Sequence, residues 1–323
     1  MHDPVLMNVL DQWQRNLAED HAPATAQRYL GVVRRFLTWY ADQERRPLAL
    51  DHLTPITLVS YRNALQQTAT TSTVNTHVSA LRAWCAWLSQ QGMVGVNPAA
   101  RLKFVGHQAP LAPKALKDTE VNALLRAAAQ SHHPARDTAI MHMLLQTGMR
   151  IGECAMLQWS DIAFSEKQGK VLIRAGKGNK ARTVPLNASA RQALATYVAP
   201  SLQVEPTVKA VAMAWQQGTR LAPQAPVWQS QKGGPLSVSG IGRIITGLVQ
   251  AAAARQLVPV TTTAHTLRHT FATRYLAAHP GDLVGVATLL GHSSLNTTRI
   301  YVQPTAEKLA ERVERLDLNA YSG

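Results

Sequence analysis

The chain has 323 residues, which is enough to bury a sizeable core and favours two domains over one. Lys and Arg total 33 against 19 Asp and Glu, so the formal net charge is +14 and the pI is about 10.2. This excess favours a polyanionic partner, most often nucleic acid, although a basic but otherwise ordinary enzyme remains an alternative. Two cysteines, Cys85 and Cys154, exclude a disulfide framework and a structural zinc site, and core packing is the expected role of both.

The sequence also argues against membrane insertion and secretion. No run of apolar residues is long enough to span a membrane, and the N-terminus lacks a charged region followed by an apolar one. We therefore expect a cytoplasmic, nucleoid-associated protein with no membrane partner.

Residues 1–98 predict a helical domain. Apolar residues recur at helical spacing behind Pro23 and Thr25, at Val32, Val33, Phe36, Leu37 and Tyr40. A second apolar pattern predicts a helix that carries Val74, Val78, Leu81, Cys85 and Leu88. We place Asn75, His77 and Arg82 on its opposite face, where they could reach phosphates or base edges, although a solvated helix face explains them equally well.

Residues 99–115 predict a linker between two domains. They show no periodicity and carry two prolines and several basic side chains, which is typical of a semi-stiff basic segment. We therefore expect a second domain over residues 116–323.

The second domain is predicted to be mainly helical with a small antiparallel sheet. Helices are expected after Asp118 or Thr119, from Asp137 to Thr147, and from Ser239 to about Leu316. Two short strand-like runs, Lys170–Arg174 and Ala181–Leu186, flank a tip rich in glycine that contains Lys177.

Residues 200–228 are rich in Pro, Gln and Ala around a short predicted helix, Val208–Trp215. We expect Val208, Val211 and Trp215 to be exposed there and to contact a partner protein or a neighbouring subunit.

The arginines Arg150 and Arg268 are suited to binding a phosphate group. A planar guanidinium group stays charged and grips two phosphate oxygens at once. Arg150 follows Thr147-Gly148 and is expected to begin a helix, whose N-terminus itself favours anions. Glu153 shares that face and can orient the guanidinium group.

Two histidines add proton transfer to this chemistry. His265 lies three residues before Arg268, so the two side chains share a helix face, and His292 can donate a hydrogen bond to the same phosphate. His265 and His269 also have the spacing of a helical zinc site. We expect no metal, because no Glu lies between them and Arg268 would repel a cation.

Tyr301 and Lys177 complete the set. A tyrosine has a pKa of about 10 and needs nearby positive charge to become a nucleophile. Lys177 could donate a proton to a leaving oxygen. Taken singly, a core tyrosine and a solvated turn lysine explain these residues better, and only their joint occurrence in order favours catalysis.

In these motifs the chain resembles the tyrosine recombinases, the phage-integrase family that includes the Xer/Cre-like enzymes. The matching segments are Thr-Gly-Met-Arg150-Ile-Gly-Glu153, Gly-Lys177-Gly-Asn-Lys, His265-Thr-Leu-Arg268-His and Leu-Leu-Gly-His292 with Tyr301. The resemblance implies a catalytic set supported by Glu153 and made of Arg150, Lys177, His265, Arg268, His292 and Tyr301.

The resemblance also implies a two-domain DNA clamp, in which a helical core-binding domain and a catalytic domain grip double-stranded DNA. Cleavage would proceed through a 3′-phosphotyrosyl link at Tyr301 without any cofactor. A homotetramer on paired recombination sites, with a possible accessory protein, is expected. Ala287 departs from the glutamine of many relatives at a position outside the catalytic set.

Two other functions compete with site-specific recombination. One is a catalytically idle DNA-binding regulator, which the filled catalytic positions disfavour. The other is a type IB-like DNA relaxing enzyme, which shares the tyrosine chemistry but acts at one site as a monomer; the small size and the Lys177 hairpin disfavour it.

Overall fold

The computed structural model describes residues 4–20, 23–106, 115–174, 181–218, 221–231 and 233–291. The chain divides into two compact units, Met1–Pro110 and Leu111–Gly323. None of the helices in the described ranges is long and apolar enough to cross a membrane.

The N-terminal unit is built from helices. Its elements are α1 (Pro4–Asp20), α2 (Pro23–Glu44), a 3-10 turn (Leu50–His52), α3 (Pro55–Thr68) and α4 (Thr71–Gln90). Threonine side chains fix two of the helix starts: Thr54 accepts a hydrogen bond from the N–H of Thr57, and Thr70 accepts one from the N–H of Thr73.

An aromatic cluster forms the core of the N-terminal unit. The ring of Phe36 lies 5.1 Å from that of Tyr61 and 6.4 Å from that of Trp84, and Trp13 lies 6.4 Å from Trp84 on the other side. Cys85 is fully buried in the same core, as the sequence predicted.

The N-terminal unit continues beyond residue 98. Ala99 and Leu102 are buried in its core, and Val105 packs against it. The predicted linker therefore begins too early at residue 99, because two apolar side chains there find a place in the helical core that periodicity does not show.

The second unit contains a three-stranded antiparallel sheet, eight α-helices and one 3-10 turn (Trp159–Asp161) among its described residues. The elements are α5 (Asp118–Ala129), α6 (Pro134–Thr147), α7 (Ile151–Ala155), β1 (Ile162–Phe164), β2 (Gly169–Ile173), β3 (Arg182–Pro185), α8 (Ala188–Leu202), α9 (Val208–Gln216), α10 (Val238–Ala253), α11 (Ala264–Ala278) and α12 (Leu283–Leu290). This arrangement confirms a mainly helical chain with a small antiparallel sheet.

The sheet has the strand order β1-β2-β3. Val171 of β2 pairs with Ile162 of β1 and with Val184 of β3, and all three side chains are buried on one face. In the same register, Ile173 pairs with Arg182 at the start of β3.

Helix α6 runs through the middle of the core and packs against α5, α8 and α11. Its residues Ile140, Met141 and Met143 are fully buried. Cys154, on α7, is buried in the same core and its carbonyl oxygen accepts a hydrogen bond from the Trp228 indole N–H at 2.9 Å.

The expectation that residues 200–228 expose an apolar docking surface is wrong for its named residues. Val211 is fully buried, Val208 packs against the core, and the Trp215 ring lies 5.7 Å from that of Trp159. The helix is present as predicted, but its apolar face closes the core beside the sheet; Met213, by contrast, is 51% exposed.

Candidate active site

The turn between α6 and α7 positions Arg150. Gly148 ends α6 with a φ of +63°, a left-handed conformation that suits glycine, and its N–H donates to the carbonyl of Leu144 at 3.1 Å. Arg150 then caps α7, and its side chain is 45% exposed. The guanidinium group is therefore held at the surface, where it can bind an anion from solution.

Glu153 holds Arg150 in two ways. One carboxylate oxygen, Oε2, accepts a hydrogen bond from the Arg150 backbone N–H at 2.7 Å, and Oε1 accepts one from Arg150 Nη1 at 3.0 Å. The predicted role of Glu153 in orienting Arg150 agrees with this geometry. The carboxylate itself satisfies the start of α7, so an external anion has to be bound by the side chain.

A further arginine, Arg182, joins this pair and was not predicted. Its Nη1 and Nη2 donate to the two carboxylate oxygens of Glu153 at 2.9 and 2.7 Å, and its Nε donates to the carbonyl of Leu289 at 2.8 Å. The signal was present in the sequence: Arg182 alternates with Val184 and Leu186, so the strand period places it on the core face.

Arg268 lies on α11 and is almost fully buried, with 3% of its surface exposed. Its Nη1 donates to the carbonyl of Gly148 and its Nη2 to that of Leu290, each at 2.6 Å. Arg268 thus joins the segment before Arg150 to the end of α12. An added Cβ at Gly148 would meet the side chains of Phe271 and Leu290, so the close approach at this point requires glycine.

His265 is the second residue of α11, and its side chain is exposed to solvent. Partial burial lowers its pKa, and the charges of Arg268 and Arg150 lower it further. A neutral imidazole at neutral pH can accept a proton, which is the property a general base needs.

His269 lies one turn further along α11 and is buried. Burial lowers its pKa, and the charge of His265 lowers it further. Across the described part of the chain, no group of three or more His, Cys, Asp and Glu side chains is placed to hold a metal ion.

The charge balance of the site favours an anion. Burial alone would raise the pKa of Glu153, but hydrogen bonds from Arg182 and Arg150 outweigh it, so the pKa lies below its usual value and the group is ionised. Arg150 and Arg182 both donate to this carboxylate, and Arg268 donates to the carbonyl of Gly148, two residues before Arg150. The excess positive charge suits a phosphate group.

Three predicted catalytic residues, Lys177, His292 and Tyr301, lie outside the described residues. The described chain brings together Arg150, Glu153, His265 and Arg268, which come from the α6–α7 turn and from α11. Their convergence was predicted from motif order alone.

Of the predicted DNA-reading residues of α4, His77 is buried, Asn75 is half-buried and Arg82 is exposed. His77 is 4% exposed, and its Nδ1 lies 2.9 Å from the hydroxyl oxygen of buried Tyr61, so the expectation that it reaches DNA is corrected. Burial raises the pKa of Tyr61 to about 12, although the charge of Arg35 acts in the opposite direction. Asn75 is hydrogen-bonded to Val105, and Arg82 lies over the ring of Phe104.

Comparison with known proteins assigns this architecture to a family. The phage integrase family matches residues 114–308, and the N-terminal SAM-like domain of phage integrases matches residues 10–92. The chain is 36% identical over 242 residues, 74% of each chain, to the tyrosine recombinase XerC of Pediococcus pentosaceus. It is 31% identical over 290 residues, 88% of this chain and 86% of the other, to the tyrosine recombinase XerD of Ralstonia nicotianae.

Solved structures agree on the fold. The XerH site-specific recombinase bound to palindromic difH substrate, in a post-cleavage complex, superposes with a TM-score of 0.69 at 21% identity, covering 95% of this chain and 83% of the other. The family match and the relatives named above place the chain among the tyrosine recombinases, which are site-specific DNA recombinases. The chain belongs to the phage integrase family, as its motifs predicted.

Proposed function

We propose that this protein is a site-specific recombinase that cleaves and rejoins double-stranded DNA through a 3′-phosphotyrosyl link at Tyr301. The observation that carries the proposal is that Arg268, three residues after His265 on α11, donates to the carbonyl of Gly148, two residues before Arg150, whose side chain Glu153 holds. Relatives named tyrosine recombinases support it, because they match this chain over most of its length.

In the proposed cleavage step, the Tyr301 phenolic oxygen attacks the scissile phosphorus and the bond from phosphorus to the 5′ oxygen breaks. His265 accepts the phenolic proton, and Lys177 donates a proton to the leaving 5′ oxygen. Arg150 and Arg268 neutralise the negative charge that builds on the phosphate oxygens, and His292 donates a further hydrogen bond. Glu153 fixes Arg150 during this change.

Rejoining is the reverse reaction with a new strand. The 5′ hydroxyl of a partner strand attacks the phosphotyrosyl link and releases Tyr301. The link conserves the energy of the broken phosphodiester, so the step requires no cofactor. Exchange between two sites calls for several protomers, and we propose a homotetramer on paired sites, serving integration or resolution of a mobile element or replicon and assisted by an accessory protein where the site requires one.

The test of the function uses nicked duplexes tiled across the DNA that flanks the gene. Wild type and Tyr301→Phe are incubated with each duplex, and denaturing gels detect protein attached to DNA. A Tyr301-dependent adduct at one position supports the proposal and locates the site. Tight binding of one duplex without any adduct would instead point to a required partner protein or to an idle DNA-binding regulator.

A second arm separates recombination from relaxation. A supercoiled plasmid without the located site and one with two copies of it are incubated with the protein. Relaxation of the plasmid without the site would support a type IB-like relaxing enzyme. Products that appear only with two sites support recombination.

A further inference from the structure

We propose that Arg182 is a positioning residue for strand cleavage. It holds the Arg150 side chain, strand β3 and the end of α12 in one rigid arrangement. This inference rests on the proposed function and goes beyond the catalytic set that the motifs indicate. Arg182 touches none of the reacting atoms in the proposed mechanism; it acts through Glu153 and through the backbone at the end of α12.

The contacts of Arg182 use two edges of its guanidinium group. Nη1 and Nη2 each reach one oxygen of Glu153, at 2.9 and 2.7 Å, while Nε reaches the carbonyl of Leu289 at 2.8 Å. The side chain is 6% exposed and that of Glu153 is 14% exposed. A planar fork with donors in fixed directions meets these three acceptors, whereas a lysine ammonium is a single point charge.

Glu153 transmits this contact to Arg150. Its two carboxylate oxygens each accept from Arg182, and the same oxygens accept from the Arg150 Nη1 and backbone N–H groups. Without Arg182, the carboxylate would lose the bidentate partner that fixes its plane, and Arg150 would lose a fixed acceptor. The Arg150 guanidinium group, which we expect to bind the scissile phosphate, is therefore held in place through Glu153 by the guanidinium group of Arg182.

Chain connectivity gives Arg182 a second role. It follows Lys177 in the segment Lys177-Gly-Asn-Lys-Ala-Arg182, and its Nε partner lies in the segment Leu289-Leu-Gly-His292. Strand β3, which follows the Lys177 segment in sequence, and the end of α12, which precedes His292, are thus joined through the Arg182 side chain. Arg182 links α7, β3 and the end of α12 through direct hydrogen bonds.

Gly291 leaves room for the Arg182 side chain because it lacks a Cβ. It ends α12 with a φ of +66°, and a Cβ built there would lie 2.7 Å from Arg182 Nη1 and 3.0 Å from its Cζ. The glycine before His292 therefore leaves the space that the Arg182 guanidinium group occupies. This second observation shows that Arg182 packs against the end of α12, independently of its hydrogen bonds.

The test compares Arg182→Lys and Arg182→Met with Arg191→Met. Arg191 is a matched control, because it lies in the same unit and donates to the carbonyl of Leu186 at 2.8 Å but has no carboxylate partner among its described contacts. Single-turnover cleavage of the nicked duplex located with wild type, binding of the same duplex and the unfolding midpoint are measured for each variant. Arg182→Lys keeps the charge and carries the test if Arg182→Met does not fold.

We expect Arg182→Lys to bind the duplex within about threefold of wild type and to cleave it on the order of 100-fold more slowly, the effect of misplacing a catalytic group by about 1 Å. Arg191→Met should cleave at the wild-type rate once folded. Cleavage by Arg182→Lys at the wild-type rate would overturn the inference while leaving the proposed function intact. A wild-type protein that forms no adduct with any duplex would overturn the proposed function first.

The pH profile separates positioning from general support of the fold. Glu153 must be ionised to hold Arg150, and it faces Arg150, Arg182 and the neutral thiol of Cys154. His265, the proposed base, gives an acid limb in every variant; loss of Arg182 raises the pKa of Glu153, so both Arg182 variants should lose additional rate at low pH. In a Glu153→Gln background, the Arg182 variants should show the same acid limb as Glu153→Gln alone; an unchanged acid limb with a rate loss proportional to lost stability would assign Arg182 a purely structural role.

Discussion

The side-chain amide of Asn75 exchanges two hydrogen bonds with the backbone of Val105. Its Nδ2 donates to the Val105 carbonyl at 3.1 Å, and its Oδ1 accepts from the Val105 N–H at 2.9 Å. Beside this pair, Arg82 lies 5.3 Å from the centre of the Phe104 ring, and Arg62 donates to the carbonyl of Lys103 at 3.2 Å. Helices α3 and α4 thus hold the last described residues of the N-terminal unit.

Asn75→Ala should release this segment. The two hydrogen bonds contribute together roughly 2 kcal/mol, so the opened form should become roughly thirtyfold more populated and trypsin should cut after Lys103 correspondingly faster. Thr76→Ala is the control, because its hydroxyl bonds only to its own helix, at the Ser72 carbonyl. A loss of DNA affinity with an unchanged trypsin rate would instead favour base reading by Asn75.

Gly291→Ala should destabilise the protein more than Gly281→Ala. Both glycines have positive φ, +66° and +88°, but only Gly291 has a neighbour, Arg182, in the space that a Cβ would enter. Backbone strain costs about 1 kcal/mol or more at each site, and the displacement of Arg182 adds to it at Gly291. Urea unfolding of the two variants checks the difference; equal midpoints would contradict the packing of Arg182 on Gly291.

Acidification below neutral pH should destabilise the protein through its buried histidines. Burial lowers the pKa of His77, His142 and His269, with nearby charges adding to the effect at His77 and His269. The unfolded chain then binds protons more readily than the folded one, so the stability is complete above the ordinary pKa of 6.5 and is lost as pH falls below it. Unfolding midpoints between pH 8 and pH 5 measure the slope of stability against pH.

His142→Leu should flatten that slope. His142 lies in an apolar groove between α6 and α8, and its Nδ1 is buried without a hydrogen-bond partner among the described residues. Leucine removes the titrating group and suits the apolar surroundings. His132→Gln, at an exposed position, is the control, and an unchanged slope in His142→Leu would show that other groups govern the acid sensitivity.

Trp215→Ala should lower the free energy of unfolding by about 2 to 4 kcal/mol, because its ring packs against Trp159 and Phe164. Met213→Ala, two residues before Trp215 on the exposed side of α9, should change it by less than about 0.5 kcal/mol. A Trp215→Ala protein of normal stability that fails only in recombination would restore a partner-binding role for this segment.

The sequence predicted most of the helices, because their apolar period is strong, and it placed His265 and Arg268 together on the helix where they lie. Strand β1 was missed because its three residues, Ile162–Phe164, are too short for alternation to be visible. Arg182 was missed although its alternation with Val184 indicated a core position, because its partner Glu153 lies 29 residues away in the sequence.

The face of α4 shows a different limit. His77 lies three residues after Val74 and four before Leu81, so helical spacing itself favoured a core position, and its polar type was misleading. Asn75 and Arg82 do lie away from that core. Their contacts with Phe104 and Val105 come from a segment distant in sequence, and such a tertiary contact leaves no periodic signal within the helix.

The two cysteines have a practical consequence. Cys85 and Cys154 are fully buried, and burial raises the pKa of each thiol to about 12, with the charge of Glu153 adding to the effect at Cys154. The thiolate is the form that attacks maleimides, so the folded protein should resist these reagents at neutral pH. One cysteine introduced at an exposed position in each unit can then be labelled selectively, and the distance between the two dyes would test whether the units move relative to one another when a duplex is added.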